Sequence, residues 1–320
     1  MKKKYNFIIL RSVLIAIFVA GLSSCIKDDP ERCVDPRGNV RLTLSLDINV
    51  SSRSSNLDRY QINSVRVFVF DAVTNKYVSD NTGGPYTPGT EYEMYFSIPA
   101  GNYHFIVWTN QDDIIYKINK DATVSNMNDL ELYLDSGSGN LISDIPDLLY
   151  GKSESEDPVA NNGVKIEKYK NNHVQVVVKP DTYKINLKVT GLPVTTDIYQ
   201  FGISDNNSHY GFAANNLVEG MTTFQHVRTC TQSGGQLNTS IKVLRLTDNR
   251  SPILSFKKDA HILYQDNLIE TIKRAYLISG DPVDFGEIYT YDIEFSYDTN
   301  MEMTVSVNGW EYKHITGNLE

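Results

Sequence analysis

Catalysis needs a nucleophile, a base and a stabilising donor at spacings that let them meet, and this sequence holds few such sets. Ser255-Phe256-Lys257-Lys258 has the Ser-x-x-Lys spacing of an acyl-transfer nucleophile and its amine, but it stands in a strand-like segment without the companion motifs. The six histidines, at 104, 173, 209, 226, 261 and 314, include no His-x-x-x-His pair, and no glycine-rich phosphate loop or Gly-x-Ser-x-Gly elbow occurs. Asp144, Asp147, Glu154, Glu156 and Asp157 offer carboxylates to a hard cation; they lack the spacing of a calcium loop and read as a solvated acidic loop. The 20 Tyr and 12 Phe suit sugar stacking, yet both are ordinary strand residues. Trp108 and Trp310 each adjoin a strand pattern and are expected in a core or at a sandwich edge. The reading is of a protein that is not an enzyme, with no catalytic residue, metal or cofactor, and a glycan-binding surface lipoprotein is the second hypothesis.

One residue does carry chemistry. Lys2, Lys3, Lys4 and Arg11 precede an apolar run from Ser12 to Gly21, the order of a signal peptide and too short to span a bilayer. Leu22-Ser23-Ser24-Cys25 then resembles a bacterial lipobox. Cleavage between Ser24 and Cys25 would free the cysteine amine, and its thiol would carry diacylglycerol as a thioether. Several acyl chains make an effectively permanent anchor, where one chain binds only marginally. Lys27-Asp28-Asp29-Pro30-Glu31 resembles the acidic tracts that direct some lipoproteins to the outer leaflet of the outer membrane, and it reads equally as a solvated tether.

Removing residues 1–24 takes away four basic and no acidic residues, leaving 26 Lys and Arg against 39 Asp and Glu. A net charge of −13 argues against nucleic acid as a partner, since phosphate backbones are bound by clustered Lys and Arg. Cys33 and Cys230 remain as a possible disulfide pair, without framework spacing.

The elements that must carry any function are strands. Val40, Leu42, Leu44, Leu46, Ile48 and Val50 alternate with polar residues without a fault, which puts every apolar side chain on one face. Val65 to Phe70 reads as a strand buried on both faces. Tyr92 to Ile98 and Tyr103 to Val107 alternate about Pro99-Ala100-Gly101-Asn102 and read as a hairpin. The stretch from Asp135 to Asn172 is loop-rich, with islands at Leu148 to Tyr150 and Val164 to Ile166. Val174 to Val178 closes the first half before Lys179-Pro180-Asp181, a candidate boundary. Strands are expected at Tyr183 to Val189, Tyr199 to Ser204, Ser240 to Leu246, Tyr289 to Tyr297 and Met301 to Val307. One helix is expected at Leu268 to Tyr276, capped by Asp266 or Asn267. The fold class is all-β, as two β-sandwich domains with one short helix in the second. The boundaries are 1–24 signal peptide, 25–36 lipidated tether, 37–180 first domain and 181–320 second domain.

Taken in order, several of these features resemble the fimbrillin-associated anchor lipoproteins of type V pili. They are Cys25 with Lys27-Asp28-Asp29, the strand Val40 to Val50, Val65 to Asp71, Ile98-Pro99-Ala100-Gly101-Asn102-Tyr103 leading to Val107-Trp108-Thr109-Asn110, Leu149-Tyr150-Gly151, and Val305-Ser306-Val307-Asn308-Gly309-Trp310. The resemblance implies two transthyretin-like domains, a place in the cell outer membrane and fimbrium, and a pilus stalk subunit as partner through β-strand addition. In that family the stalk subunits lose their first strand to an Arg- or Lys-specific protease, whereas the anchor keeps its own and so ends growth. Arg53, in the polar segment Ser51 to Ser55, is a possible protease site. Cleavage there would make the chain a stalk or tip subunit instead. The tail from Glu311 to Glu320 holds few apolar residues for donation to a neighbour.

Overall fold

Alternation in the sequence becomes burial in the fold. The computed structural model describes residues 37–47, 60–111, 114–135, 139–142, 144–155, 162–280 and 282–316. Residues 1–36, with the leader, Ser24, Cys25, the acidic stretch and Cys33, lie outside the described residues, as do Ile48, Val50, Arg53, Glu156 and Asp157.

The first half opens with β1 (Arg37–Leu46), β2 (Val65–Asp71), β3 (Tyr77–Gly83), β4 (Tyr92–Pro99) and β5 (Gly101–Thr109). After β6 (Tyr116–Ile118), β7 (Glu131–Leu134) and β8 (Leu141–Ile142) come β9 (Leu149–Lys152), β10 (Val164–Ile166) and β11 (Asn171–Pro180). One sheet runs in the order β3-β2-β5-β9-β11-β1-β4, with β10 on β5. Val40, Leu42 and Leu44 of β1, Val174, Val176 and Val178 of β11 and Met94 and Ile98 of β4 share a core with Val65, Val67, Val69, Phe105 and Val107. The chain is thus all-β with a sandwich-like arrangement of sheets.

The double-sided strand expected at Val65 to Phe70 is present, and its two faces serve different cores. Val65, Val67 and Val69 enter the first. Phe68 and Phe70 join Ile106 and Trp108 in a second cluster, completed by Tyr210, Phe212 and Phe224 from the other half of the chain.

The expected hairpin is not formed. Among the described residues β4 pairs with β1, whereas β5 pairs with β2, β9 and β10. Ile98 and Tyr103 enter one core from strands that are not neighbours in the sheet, so the tight link spans from its β4 edge to β5. Gly101 suits this link, because a Cβ there would lie 2.8 Å from the Tyr103 hydroxyl. That hydroxyl donates to the Pro99 carbonyl at 3.0 Å. Turn residues reverse a chain; whether the reversed strands pair or face each other is decided by the other strands.

The second half contains β12 (Thr182–Thr190), β13 (Tyr199–Gly211), β14 (Leu217–Cys230), β15 (Leu237–Leu244), β16 (Ile253–Lys258), β17 (His261–Asn267), α1 (Leu268–Ser279), β18 (Thr290–Tyr297), β19 (Glu302–Val307) and β20 (Trp310–Thr316). One sheet has the order β15-β12-β18-β19-β20, and the facing one β17-β16-β13-β14-β8. Asn267 caps α1, its side chain accepting from the Glu270 backbone N–H, and Gly280 ends it at φ 87°. Leu268 and Ile272 are buried as their spacing requires. The tail, sparse in apolar residues, forms the edge strand β20 against β19.

Two strands, β7 just before the loop-rich stretch and β8 within it, do not stay with the first half. β7 pairs with β13, and β8 pairs with β14. The islands expected at Leu148 to Tyr150 and Val164 to Ile166 are β9 and β10, which return to the first sheet.

Candidate functional site

β1 lies inside the first sheet with backbone partners on both sides. It runs parallel to β11, in register from Asn39 opposite Asn171 to Leu46 opposite Val178. On its other side it is antiparallel to β4, from Arg37 opposite Pro99 to Leu44 opposite Tyr92. Val40, Leu42 and Leu44 are 1%, 0% and 6% exposed, and Leu46 is half-buried. Burying three such side chains contributes on the order of 6 kcal/mol. Taking β1 away would leave β4 without a strand partner among the described residues and open an apolar groove between β4 and β11.

The outward face of β1 is also tied down. Asn39 donates through Nδ2 to Asn171 Oδ1 at 3.1 Å and accepts from the Ser97 hydroxyl at 2.9 Å. The Thr43 hydroxyl lies 2.9 Å from His173 Nε2. Arg41 Nε donates to Glu93 Oε1 at 2.7 Å, and its Nη2 reaches Glu91 at 2.9 Å. The hydrogen bond from the Tyr95 hydroxyl, then that from Arg41, holds the Glu93 carboxyl below its ordinary range, and Glu93 in turn raises Arg41. Asp47 and Lys179 form an ion pair at 2.9 Å where β1 ends.

The residues weighed for chemistry are scattered. Ser255 and Lys258 stand at i and i+3 on β16, hence on opposite faces. The Ser255 hydroxyl donates to the Gly202 carbonyl, while Lys258 pairs with Asp197 at 2.9 Å. Among the described residues no group of three or more His, Cys, Asp or Glu side chains could hold a metal. Asp144 pairs with Arg228. Asp147 corrects the reading of a solvated loop, for it is 5% exposed, pairs with Lys242 at 3.0 Å and accepts from the Gln61 backbone N–H. Trp108 is fully buried, Trp310 sits on an edge strand, and Cys230 is half-buried with no disulfide among the described residues.

The polar cluster that sequence reasoning missed lies where the halves join. Asp181 is buried, pairs with Arg245 at 3.0 Å and accepts from Asn215 Nδ2 at 2.9 Å. Burial raises its carboxyl to about 6 against the pull of Arg245 and Asn215, and Asp181 raises the Arg245 guanidinium against that residue's own burial. The only signal was Asp181 after Pro180, which read as turn chemistry.

A first strand held in its own groove directs attention to assembly. The profile of the family described as "Fimbrillin-A associated anchor proteins Mfa1 and Mfa2" matches residues 28–316. The chain belongs to this family of fimbrillin-A associated anchor proteins. The family is not one of enzymes, and its members are fimbria-associated; the role of this chain is pilus-associated, at the cell surface.

Solved structures agree on the fold. Mfa2, the fimbrial anchor protein of Porphyromonas gingivalis, is 14% identical, with a TM-score of 0.60 over 86% of this chain and 99% of that one. A Bacteroides thetaiotaomicron protein described as a candidate polysaccharide-binding protein is 19% identical, with a TM-score of 0.64 over 88% and 100%. A candidate adhesin from Bacteroides ovatus is 15% identical, with a TM-score of 0.62 over 89% and 97%. Comparison with curated protein sequences gives no match.

Proposed function

We propose that this protein is the membrane-bound terminus of a pilus: a lipoprotein, lipidated at Cys25, that keeps its first strand and thereby ends growth. The observation that carries the reading is β1 seated between β4 and β11 with Val40, Leu42 and Leu44 buried. An incoming subunit adding a strand would need that groove, and the groove is full. The strand Val40, Leu42, Leu44, Leu46, Ile48, Val50 is thus retained, and the Arg53-Ser54 bond stays intact. Cutting it would part the folded body from both β1 and the lipid. In this reading 25–36 is the tether, 37–180 and 181–320 are the two domains, and the anchoring membrane is the outer membrane.

The test is the amino terminus of the surface-assembled protein. A membrane-bound form that begins at Cys25 and incorporates labelled palmitate, together with longer pili shed into the medium when the protein is absent, is the expected result. A surface-assembled form beginning at Ser54 would instead make this a polymerising stalk or tip subunit.

A further inference from the structure

The end of the first sheet where β1 begins differs in charge from the rest of the molecule. The chain carries 39 Asp and Glu against 30 Lys and Arg. Yet Arg37, Lys165, Lys168 and Lys170 are all exposed at this one end. Backbone contacts gather them: the Asn39 N–H donates to the Lys170 carbonyl at 3.0 Å and the Tyr169 N–H to the Arg37 carbonyl at 3.0 Å. Lys165 lies opposite Asn102 in the pairing of β10 with β5. Gly38 permits the approach, because a Cβ there would stand 2.5 Å from the Glu167 carbonyl oxygen.

Tyr169 projects from the middle of this group. It holds φ 58°, is 62% exposed, and has the Lys168 ammonium 5.7 Å from its ring centre. Among the described residues, Glu167 and Asp71, which lie beside these basic side chains in the chain or in the sheet, are engaged. Glu167 pairs with Lys170. Asp71 accepts from the backbone N–H groups of Val73 and Thr74 and from the Thr74 hydroxyl.

Chain direction gives the cluster its surroundings. Cys25 precedes Arg37 by twelve positions, a reach of at most about 40 Å. β1 and β11 run side by side away from the cluster, and β11 gives way to β12 at Thr182. The second half of the chain is therefore attached at the opposite end of β11.

We propose that this end is a foot that rests on the membrane, with Arg37, Lys165, Lys168 and Lys170 against the phosphates of anionic lipid headgroups and Tyr169 at the interface. The inference rests on the reading that Cys25 carries the lipid. Lys and Tyr suit such a boundary because each has an apolar body and a polar tip. Attraction to an anionic surface accumulates over basic residues and fades beyond about 8 Å at physiological salt, so only side chains at the surface count.

The mature chain with Cys25→Ser, which has no acyl chain, is mixed with vesicles of phosphatidylcholine alone or with added phosphatidylglycerol and sedimented. Binding to the anionic vesicles alone, weakened by salt, is expected. Lys165→Glu/Lys168→Glu/Lys170→Glu should lower it by about tenfold or more. Lys120→Glu/Lys184→Glu/Lys257→Glu, which changes net charge equally, should leave it in place, and the milder Lys168→Ala/Tyr169→Ala should weaken it if the triple variant does not fold. Inorganic phosphate should compete no better than chloride of equal ionic strength. Binding to neither vesicle or equally to both, equal loss in the two triple variants, or selective competition by phosphate would overturn the foot. Palmitate labelling in cells reports separately on Cys25: labelling without vesicle binding removes the foot and keeps the anchor, and vesicle binding without labelling removes the anchor.

Discussion

His104 and His226 are 2% and 3% exposed, and burial lowers each to about 4 from an ordinary 6.5. The unfolded chain therefore takes up protons near pH 6.5 that the fold refuses until about 4. Stability is complete above that window and falls as pH drops through it, by on the order of 3 kcal/mol per ring. Asp181, raised to about 6, works the other way: its contribution is present below about 3.8 and lost as pH rises through 6. Two groups oppose one, so the protein should lose stability between pH 6.5 and 4. His226→Phe should flatten that slope in denaturant titrations at pH 7 and 5; an unchanged slope would mean the ring titrates normally. Leu42, fully buried in β1, offers a test of packing. Leu42→Ala should cost about 2–5 kcal/mol, and a cost under about 0.5 kcal/mol would mean that the strand does not fill its groove in solution.

At the scale of elements, β1 and β12 were legible because strict alternation has one meaning, an apolar face toward a core. Elements without that pattern were not. β14 carries polar and apolar residues without a two-residue period, and β20 is an edge strand that needs only one apolar face. Asp147 read as a loop carboxylate because its partner Lys242 is remote in sequence. The site itself was half legible: alternation identified β1 as an ideal sheet strand, but its parallel pairing with β11 depends on residues more than 130 positions away. That pairing yields a direct test. A chain beginning at Ser54, refolded without β1, should capture a synthetic peptide of residues 37–50, and the captured complex should melt higher than the truncated chain alone. A peptide with Val40, Leu42 and Leu44 changed to Asp should not bind, because each would bury an unpaired charge. Equal capture of both peptides would place the affinity outside the groove.

Across the whole molecule, the two halves are not separable beads. Phe68, Phe70, Ile106 and Trp108 pack with Tyr210, Phe212 and Phe224, and β7 and β8 of the first half extend a sheet of the second. One cooperative unfolding transition is therefore expected in calorimetry. Phe212→Ala, at the centre of the shared cluster, should lower it by about 3–5 kcal/mol and begin to split it. Two transitions in the unaltered protein would mean that the halves fold independently. The direction of β1 has a mechanical consequence. If the lipid end is fixed and a fibre pulls from beyond the far end of β11, tension runs along β1 and draws it lengthwise past β4 and β11. The hydrogen bonds to β4 lie across that pull and those to β11 slant to it, so the ladders on both flanks share the load and must fail together. A strand pulled sideways would lose its bonds one at a time. The fold thus presents its first strand to tension as a lap joint rather than as a zipper.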